Sequence, residues 1–584
     1  MQVIKATEHG ILPNTQKDVT QAFAAMLVSS NSETEFVLEP GRYDFYAENA
    51  ELRDYYLSNS DIINPRRLSL QLCGMNHVVF NGNGAELVFH GQTMPFTVDN
   101  SSDITIKNLT IDWEIPLTAE GTITAATSSY IDVNIDRQYF PYEVENNTLF
   151  FIGEDWKERV WQWGNTEFDV HTHKVAYRMG DTFPQTTQEQ LPNGLVRFYG
   201  DFKRIPNIGN ILVLRHNKRI HAGIFMQNST DIAIENVTVH STGGLGMLAQ
   251  FCTNLRFRRI KMIPNTKRGR QFTSGHDDGI HLTANKGKIT VEECYFSGLM
   301  DDPLNLHGVA TRIKHIASKY TLQGEFAHEQ SQGFEHWAQP GQKVALLHAQ
   351  DLSRAGVLNV KRFTLLNAAE FEIEFDEPIP ECIAASDSME NLICTAELVC
   401  QNNYFGSCRA RGILIATPKP VLIQNNVFES AGAAILIAGD ANYWYESGNC
   451  QDVTICHNHF ADCCLTSSYL GGEAIISIHP EVEHPVKEKP FHRNIVIENN
   501  VVQTSDAPVL YALSTQNLRF TSNRIIRSNT YLPWNRQKEM LRFEFCSQVA
   551  VQNNLLIGEV LGANISTRGM VPQDITADRV VLHE

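Results

Sequence analysis

The sequence lacks three features that would each indicate a particular class of protein. No apolar run reaches the roughly 18 residues that a membrane-spanning helix needs. The first ten residues do not pair a positive segment with an apolar one. No basic tract accompanies the formal charge of −18, so an anionic nucleic acid is an unfavourable partner. These absences predict a protein with no membrane span and no nucleic-acid partner.

Cysteine is present, but not in the patterns that bind zinc. The twelve cysteines form no pair of Cys-x-x-Cys motifs, and the doublet Cys463-Cys464 has no partner cluster. Several others lie in apolar, strand-like runs, where cysteine usually behaves as a small buried hydrophobic residue; these are Cys252, Cys294, Cys400, Cys456 and Cys546. We therefore expect mostly free thiols, no bound metal and no cofactor.

A short repeat dominates the rest of the chain. A β-rich run leads to an asparagine or an asparagine doublet, and a second apolar pair follows. The repeat occurs at 102–111, 230–239, 254–260, 421–428, 453–460, 495–501, 518–525 and 549–555. Asparagine tolerates the left-handed backbone of a sharp corner, and a spacing of about 20 to 35 residues is typical of solenoid coils. The repeat predicts an all-β fold, a right-handed parallel β-helix with stacked corner asparagines.

An antiparallel sandwich is the alternative, because it also contains many short strands separated by turns. It would not predict an asparagine corner after the same strand in seven of these eight repeats, and none of the repeats contains the Asn-Gly pair typical of hairpins. The repeat therefore favours the β-helix.

Two stretches interrupt the repeat and predict inserted, barrel-like antiparallel β modules at 115–220 and 311–395. The remaining domains are then an N-terminal cap with the first coils at 1–114, coils at 221–310 and C-terminal coils at 396–584. Insertions in a solenoid usually collect on the binding face, so we expect the modules to wall a pocket. A capped amphipathic helix is predicted over 14–27, where it would cover the first coil.

Carboxylates cluster in two motifs, His276-Asp-Asp-Gly-Ile-His281 and Asp301-Asp-Pro-Leu-Asn-Leu-His-Gly308. Asp278 and Asp302 are 24 residues apart, which is about one coil, so they are expected on adjacent strands roughly 5 Å apart. Like charges at that distance raise at least one pKa and separate an acid from a base. Hydrolysis of a glycoside needs that pair, with Asp278, Asp301 and Asp302 as candidate catalytic residues.

Two other interpretations of the aspartates stay open. Asp-Asp-Gly and Asp-Asp-Pro are common in turns, and a cluster of oxygen ligands is typical of calcium sites. The two doublets lie one coil apart beside several histidines and an asparagine, which favours a catalytic site.

The same motifs, with Arg411-Gly-Ile-Leu-Ile415 and Gly439-Asp-Ala-Asn-Tyr-Trp-Tyr-Glu446, resemble glycoside hydrolase family 110, the exo-α-1,3-galactosidases that include enzymes acting on the blood-group B determinant. The site layout also resembles the polygalacturonase-type β-helix hydrolases. The resemblance covers most of the chain. It implies an inverting reaction in which Asp301 is the general acid and Asp278 with Asp302 activates water.

This chain departs from the polygalacturonase pattern in two respects. His276 stands where that motif has asparagine, and the later basic motif is missing, so a neutral sugar is favoured over a uronate. An oligosaccharide or glycan is the expected partner. The candidate substrate-binding residues are Asp277, His276, Asn305, His307, Arg411, Trp444 and Glu446.

Three other functions remain as alternatives: a polygalacturonase-like hydrolase, a calcium-dependent polysaccharide lyase, and a solenoid that binds carbohydrate without catalysis. We expect an exported protein, periplasmic, cell-surface or secreted, with its signal removed, although a cytoplasmic location stays open. A homo-oligomer is also open.

Overall fold

A computed structural model describes residues 1–162, 164–180, 183–216, 218–463, 469, 472–558 and 564–578. Its main body is a parallel β-helix, which confirms the predicted fold class. Successive coils contribute strands to two long sheets, and each strand pairs in parallel with the equivalent strand of the next coil. One apolar core runs along the interior between the sheets.

The first sheet has 23 strands in the described part of the chain, and all of its pairings are parallel. They are Gln2–Lys5, Ser32–Val37, Arg42–Tyr46, Asn76–His90, Ser102–Trp113, Thr230–Val239, Thr253–Arg258, Lys261–Met262, Lys286–Glu292, Tyr295–Phe296, Ala396–Gln401, Tyr404–Phe405, Val421–Gln424, Val427–Phe428, Val453–Cys456, His459–Ala461, His492–Glu498, Val501–Thr504, Thr515–Thr521, Arg524–Arg527, Ser547–Gln552, Leu555–Ile557 and Ile575–Ala577.

The second sheet lies across the core from the first and supports the clustered aspartates. Its strands are Glu51–Arg53, Arg66–Cys73, Met94–Asp99, Ile224–Gln227, Met247–Gln250, Ile280–Thr283, Leu304–Ile316, Ile413–Ala416, Ile435–Ile437, Ile476–Ile478, Leu510–Leu513, Leu541–Glu544 and Ile565–Arg568. Only Glu51–Arg53 pairs antiparallel with its neighbour in this sheet, among the residues described.

The corner asparagines behave as the repeat predicts. The first asparagine of a doublet adopts the left-handed conformation, as in Asn402 (φ 58°) and Asn425 (φ 55°). The second is buried and donates to its equivalent on the next coil, as Asn426 Nδ2 does to Asn458 Oδ1 at 3.0 Å. A continuous ladder of amides results; its members are Asn403, Asn426, Asn458, Asn500, Asn523 and Asn554. It satisfies polar groups that would otherwise be buried without partners.

Both interruptions are antiparallel β modules with separate cores. The first module has a six-stranded sheet and a three-stranded sheet; its strands are Thr118–Ala126, Tyr130–Ile135, Thr166–Phe168, Thr187–Gln190, Val196–Tyr199 and Ile211–Arg215, then Tyr142–Glu145, Thr148–Ile152 and Lys157–Arg159.

The second module is a closed six-stranded barrel. Its strands are the distal half of Leu304–Ile316, then Thr321–Glu325, Lys343–Leu347, Arg354–Leu365, Glu370–Phe375 and Ser388–Asn391. Because Leu304–Ile316 begins in the second sheet and ends in the barrel, one continuous strand fixes the barrel beside the aspartates. A two-residue strand, Glu446–Ser447, pairs antiparallel with the same strand.

The N-terminal helix covers the end of the core, but it is shorter than predicted. It spans Thr20–Leu27, and its buried residues include Phe23 and Met26. The prediction of a helix from residue 14 was wrong, because Asn14 and Gln16 adopt left-handed backbone conformations that an α-helix excludes. Asp18 instead accepts the Thr20 backbone N–H at 2.9 Å.

The remaining helices are single 3-10 turns, Ala6–His9, Ala47–Asn49, Thr266–Arg268 and Pro572–Asp574. In the described ranges no helix is long and apolar enough to cross a membrane. The eleven cysteines described are all free thiols, and Cys464 lies outside the described residues.

Candidate active site

The predicted aspartates lie immediately before two neighbouring strands of the second sheet. Asp278 precedes Ile280–Thr283, and the Asp301-Asp302 doublet precedes Leu304–Ile316. Ile280 pairs with Leu304, so the 24-residue spacing stacks Asp278 on Asp302, as predicted. The Asp302 backbone N–H donates to Asp278 Oδ1 at 3.1 Å, which fixes the stacked pair.

Close approach of the two coils depends on the glycine that follows Asp278. A Cβ atom at Gly279 would lie 2.6 Å from the carbonyl oxygen of Pro303, nearer than real Cβ contacts come. The Gly279 N–H donates to the Asp302 carbonyl at 2.9 Å. A side chain here would push the coils apart and separate the carboxyl groups that they carry.

The three carboxyl groups share one small volume. One oxygen of each of Asp278, Asp301 and Asp302 lies within 4.8 Å of the others, and all three residues are buried. Burial, followed by the charge of Asp301, raises the pKa of Asp278 well above its usual range. Burial raises the pKa of Asp302 to about 7 although Arg411 opposes it. The group can therefore hold a proton near neutral pH.

Asp277 points away from this group and binds two arginines. Arg215 Nη1 lies 2.9 Å, and Arg219 Nε 3.0 Å, from Asp277 Oδ1. His276 Nδ1 is 2.8 Å from the other oxygen. Burial would raise the pKa of Asp277, but Arg219, His276 and Arg215 outweigh it and hold that pKa below its usual range. Asp277 is thus a buried counterion.

Arginines also bind the catalytic candidates. Arg219 Nη2 donates to Asp301 Oδ2 at 2.9 Å, so Arg219 joins Asp277 to Asp301. Arg411 binds both oxygens of Asp302 through Nε and adds a backbone N–H bond of 2.8 Å to Oδ1. Arg409 Nη1 is 3.9 Å from Asp301 Oδ2. Asp301 and Asp302 are therefore each bound by an arginine, whereas the hydrogen bonds of Asp278 are to the Asp302 N–H and to His281.

The aspartates open on a cavity of about 430 Å³, within the usual size of small-molecule sites. Its walls come from distant parts of the chain: Asn59 from an early coil, Trp161 from the first module, His328 from the second module, and Tyr469 and Glu481 from later coils. Both insertions thus help to enclose the cavity.

Seven of the ten predicted site residues line the cavity: His276, Asp278, Asp301, Asn305, Arg411, Trp444 and Glu446. Asp277, Asp302 and His307 lie directly behind that wall, fully or almost fully buried. Asp278 and Asp301 are the two carboxyl groups of the catalytic candidates that reach the cavity.

Several wall residues suit a sugar. The buried Oδ1 of Asn305 has no hydrogen-bond partner among the described residues, so a ligand hydroxyl would satisfy it. Trp444 offers an aromatic surface beside Arg219, whose guanidinium lies 5.8 Å from the ring, and it packs against His328 at 4.5 Å. Glu446 accepts a hydrogen bond from Asn59 Nδ2 at 2.8 Å.

Arg215 and Arg219 were not predicted; Arg215 is the last residue of the strand Ile211–Arg215 in the first module, and Arg219 follows that strand. They are 58 to 87 positions from Asp277, Asp278, Asp301 and Asp302, so coil spacing does not relate them. Asn59, His328 and Tyr469, which arrive from loops, were not predicted either. The basic stretch directly after an insertion was the available signal, because that is where the chain returns to the binding face.

Among the residues that the structure describes, two groups of side chains have donor atoms close enough for a metal ion. In the group Asp278, Asp301 and Asp302, arginines bind Asp301 and Asp302 and so compete with a cation. In the other group, His281 and His307 direct their Nε2 atoms at each other, 2.9 Å apart, and so use the atoms that a metal would need; the third member is Glu446. Neither arrangement favours a metal.

Comparison with known proteins identifies the fold and the family. The two modules match the models called GLAA-B beta-barrel domain I, over residues 119–212, and GLAA-B beta-barrel domain II, over residues 321–389. The chain is thus a β-helix protein whose two inserted β modules match these two family models.

Curated relatives match nearly the whole chain. It is 40% identical to alpha-1,3-galactosidase B of Bacteroides thetaiotaomicron, over 98% of this chain and 94% of that protein. Alpha-1,3-galactosidase A of Bacteroides fragilis is 32% identical, over 98% and 95%. Alpha-1,3-galactosidase B of Akkermansia muciniphila is 32% identical, over 95% and 70%. The chain therefore belongs to the α-1,3-galactosidase family, glycoside hydrolase family 110, which confirms the resemblance seen in its motifs.

Proposed function

We propose that this protein is an exo-acting glycoside hydrolase that releases terminal α-1,3-linked galactose from glycans, with inversion at the anomeric carbon. Its relatives are named for that bond and that sugar. The observation that carries the proposal is that Asp278 and Asp301, from adjacent coils, open on one cavity with oxygens within 4.8 Å. Acid and base can then act on a single glycosidic bond.

In the proposed reaction Asp301 donates its proton to the glycosidic oxygen as the bond to the anomeric carbon breaks. Asp278, with Asp302 behind it, accepts a proton from the attacking water. The new carbon–oxygen bond forms on the opposite face of the sugar, which inverts the configuration. One water is consumed, and the proton lost by the acid is replaced by the proton taken from water.

A neutral sugar fits the charges of the site better than a uronate does. Arg411 is bound to Asp302, and Arg219 is bound to Asp277 and Asp301. These guanidinium groups already face carboxylates, whereas Asn305 offers an amide that suits a hydroxyl. The polysaccharide lyase alternative, which requires a uronate, is less well supported.

The enclosure of the cavity supports the proposed exo action. His328 and Trp444 pack together at 4.5 Å where the second module meets a β-helix loop, and Trp161 closes another side. An open groove would admit an internal unit of a polysaccharide, whereas a cavity walled by both insertions suits a terminal residue. Blood-group B glycans and linear α-galactosides are both candidate substrates.

The stereochemical outcome needs a direct test, because the spacing of the aspartates favours a competing mechanism. Inverting enzymes usually separate the two carboxyl groups by about 6.5–9.5 Å and retaining enzymes by about 5 Å. The oxygens here lie within 4.8 Å. Retention, with Asp278 as nucleophile, is therefore the second candidate, and inversion is proposed on the family resemblance.

The deciding experiment follows hydrolysis of a linear and a fucosylated α-1,3-galactoside by NMR. Inversion yields β-galactose first, and retention yields α-galactose. Failure to release galactose from either substrate contradicts the proposed activity. Release of an unsaturated uronate from an acidic polysaccharide, abolished by a calcium chelator, would instead support the lyase.

A further inference from the structure

A chain of short hydrogen bonds leads from Asp278 away from the cavity. Asp278 Oδ2 is 2.7 Å from His281 Nδ1, and His281 Nε2 is 2.9 Å from His307 Nε2. His307 Nδ1 is 2.6 Å from the carbonyl oxygen of Gly308. Both rings are buried. The proposed reaction uses Asp278 but assigns no task to the two histidines behind it.

The Gly308 carbonyl, at the end of this series of hydrogen bonds, determines which ring nitrogen of each histidine carries a hydrogen. A carbonyl oxygen only accepts, so His307 Nδ1 carries the hydrogen. Burial lowers the pKa of His307 and lowers the pKa of His281 to about 4, so both rings are neutral. The bare Nε2 of His307 must then accept a hydrogen from His281 Nε2.

The hydrogen on His281 Nε2 in turn determines the protonation of Asp278. A neutral His281 that carries its hydrogen on Nε2 has a bare Nδ1, which only accepts. Asp278 Oδ2 must therefore carry a proton and donate it to His281. This agrees with the raised pKa of Asp278, and it leaves Asp278 Oδ1 free to accept the Asp302 backbone N–H. In the free enzyme Asp278 is thus protonated on the oxygen that faces away from the aspartate group.

We propose that His281 and His307 form a proton relay that holds this proton on Asp278 in the free enzyme and withdraws it during turnover. The inference rests on the proposed hydrolase function, because a protonated Asp278 cannot act as a base. In the relay the Asp278 proton moves to His281 Nδ1 while the His281 Nε2 proton moves to His307 Nε2. Asp278 becomes a carboxylate and His307 an imidazolium.

The surroundings of His307 stabilise the positive charge of its imidazolium. Glu446 Oε1 lies 3.7 Å from His307 Nε2. Burial raises the pKa of Glu446, but a protonated His307 or His281 and the Asn59 hydrogen bond outweigh it, so the pKa of Glu446 is lowered once His307 becomes an imidazolium. The imidazolium therefore forms beside an anion. The Thr283 hydroxyl, 3.4 Å from the same nitrogen, is a weaker neighbour.

The proton balance closes over one turnover. Asp301 gives its proton to the leaving oxygen, and Asp278 takes one from water. Transfer of that proton from Asp278 to Asp301 across the cavity, and return of the His307 proton through His281, restore the starting state. His281 and His307 are therefore positioning residues, which act on the substrate only through Asp278.

Other charged groups affect the same proton. Those facing Asp278 are Asp301, Arg219, Asp277 and Glu446, with Asp302 on the adjacent coil. Those facing His307 are Glu446, His281 and Asp440. A test of the relay must therefore change the histidines without changing these charges, which a glutamine substitution achieves.

The first test needs no variant. Long-range ¹H–¹⁵N NMR of the ¹⁵N-histidine-labelled protein should show one ring protonated on Nε2, assigned to His281, and one protonated on Nδ1, assigned to His307. The opposite tautomer of His281 would place its hydrogen on the bond to Asp278 and overturn the proposal. A bound transition metal, found by elemental analysis and lost in His307→Gln, would also overturn it.

The second test is the pH dependence of kcat in His307→Gln. Glutamine can keep the hydrogen bond but cannot accept a net proton, so Asp278 must lose its proton to solvent. We expect the acidic limb of the kcat profile to move to higher pH, with a loss of about 10- to 100-fold at acidic pH. That loss should shrink as the pH rises, and KM should change less than twofold.

His492→Gln is the matched control. His492 is also buried, and its Nδ1 accepts the Cys450 backbone N–H at 3.0 Å, away from the cavity. The pH profile of kcat for His492→Gln should coincide with that of the wild type. A His307→Gln variant that loses activity equally at every pH would show a purely structural role and overturn the relay. If the wild type releases no galactose, the proposed function fails instead, while the NMR result still stands.

Discussion

Arg219 joins a buried counterion to a catalytic candidate, with Nε 3.0 Å from Asp277 and Nη2 2.9 Å from Asp301. One guanidinium thus fixes the geometry between a carboxylate behind the cavity wall and one that reaches the cavity. Arg219 belongs to the segment that connects the first module to the β-helix, so the module positions the predicted acid through this side chain.

Arg219→Lys should therefore lower kcat by about 10- to 100-fold while KM changes little. Lysine keeps the charge but cannot hold two carboxylates in a fixed planar geometry. Steady-state kinetics on an α-1,3-galactoside measures the effect. Arg197→Lys is the control, since Arg197 binds Asp132 on the outside of the first module. Unchanged kcat in Arg219→Lys would contradict the positioning role.

Asp301→Asn should reduce kcat by about 10²- to 10⁴-fold on a natural galactoside, because the variant has no proton for the leaving oxygen. An aryl galactoside with an acidic leaving group needs little protonation, so its loss should be much smaller. The measurement is the ratio of the loss in kcat on the natural galactoside to the loss in kcat on the aryl galactoside. Equal losses on both substrates would mean that Asp301 is not the acid.

Asp277→Asn should destabilise the protein by about 3–5 kcal/mol at neutral pH, because it leaves the fully buried Arg215 without its counterion. The pKa of Asp277 is lowered in the folded state, so its contribution is present above its unfolded pKa near 4. This contribution to stability is lost as the pH falls toward the lower pKa that Asp277 has in the folded protein. Denaturant unfolding at pH 7 and pH 3 should show the difference between variant and wild type shrinking at acid pH.

Asn458→Ala should cost about 1–3 kcal/mol, because it interrupts the corner ladder and removes the Oδ1 that accepts both the backbone N–H and the Nδ2 of the buried Asn426. Asn134→Ala, at an exposed strand position in the first module, should change the free energy of unfolding by less than about 0.5 kcal/mol. Denaturant unfolding of both variants provides the comparison. Equal stability of the two would show that the ladder does not stabilise the coils.

The repeat made the β-helix predictable because its two requirements are local. An asparagine that accepts a left-handed corner and a strand with one apolar face can both be recognised within about ten residues. The 24-residue interval then placed Asp278 beside Asp302, since parallel pairing converts a fixed spacing into a contact. The start of the N-terminal helix was not predictable in the same way, because periodicity does not reveal the left-handed residues Asn14 and Gln16.

By itself the amino-acid sequence determined the solenoid, the two insertions and the stacking of the aspartates, because each depends on spacing along the chain. Only the tertiary structure decided which groups surround them. Arg219, Asn59 and His328 arrive from segments with no periodic relation to the coils, so folding alone sets their distances. The proton positions along the His281–His307 pair likewise follow from burial and from the Gly308 carbonyl, because a desolvated hydrogen bond has room for only one hydrogen.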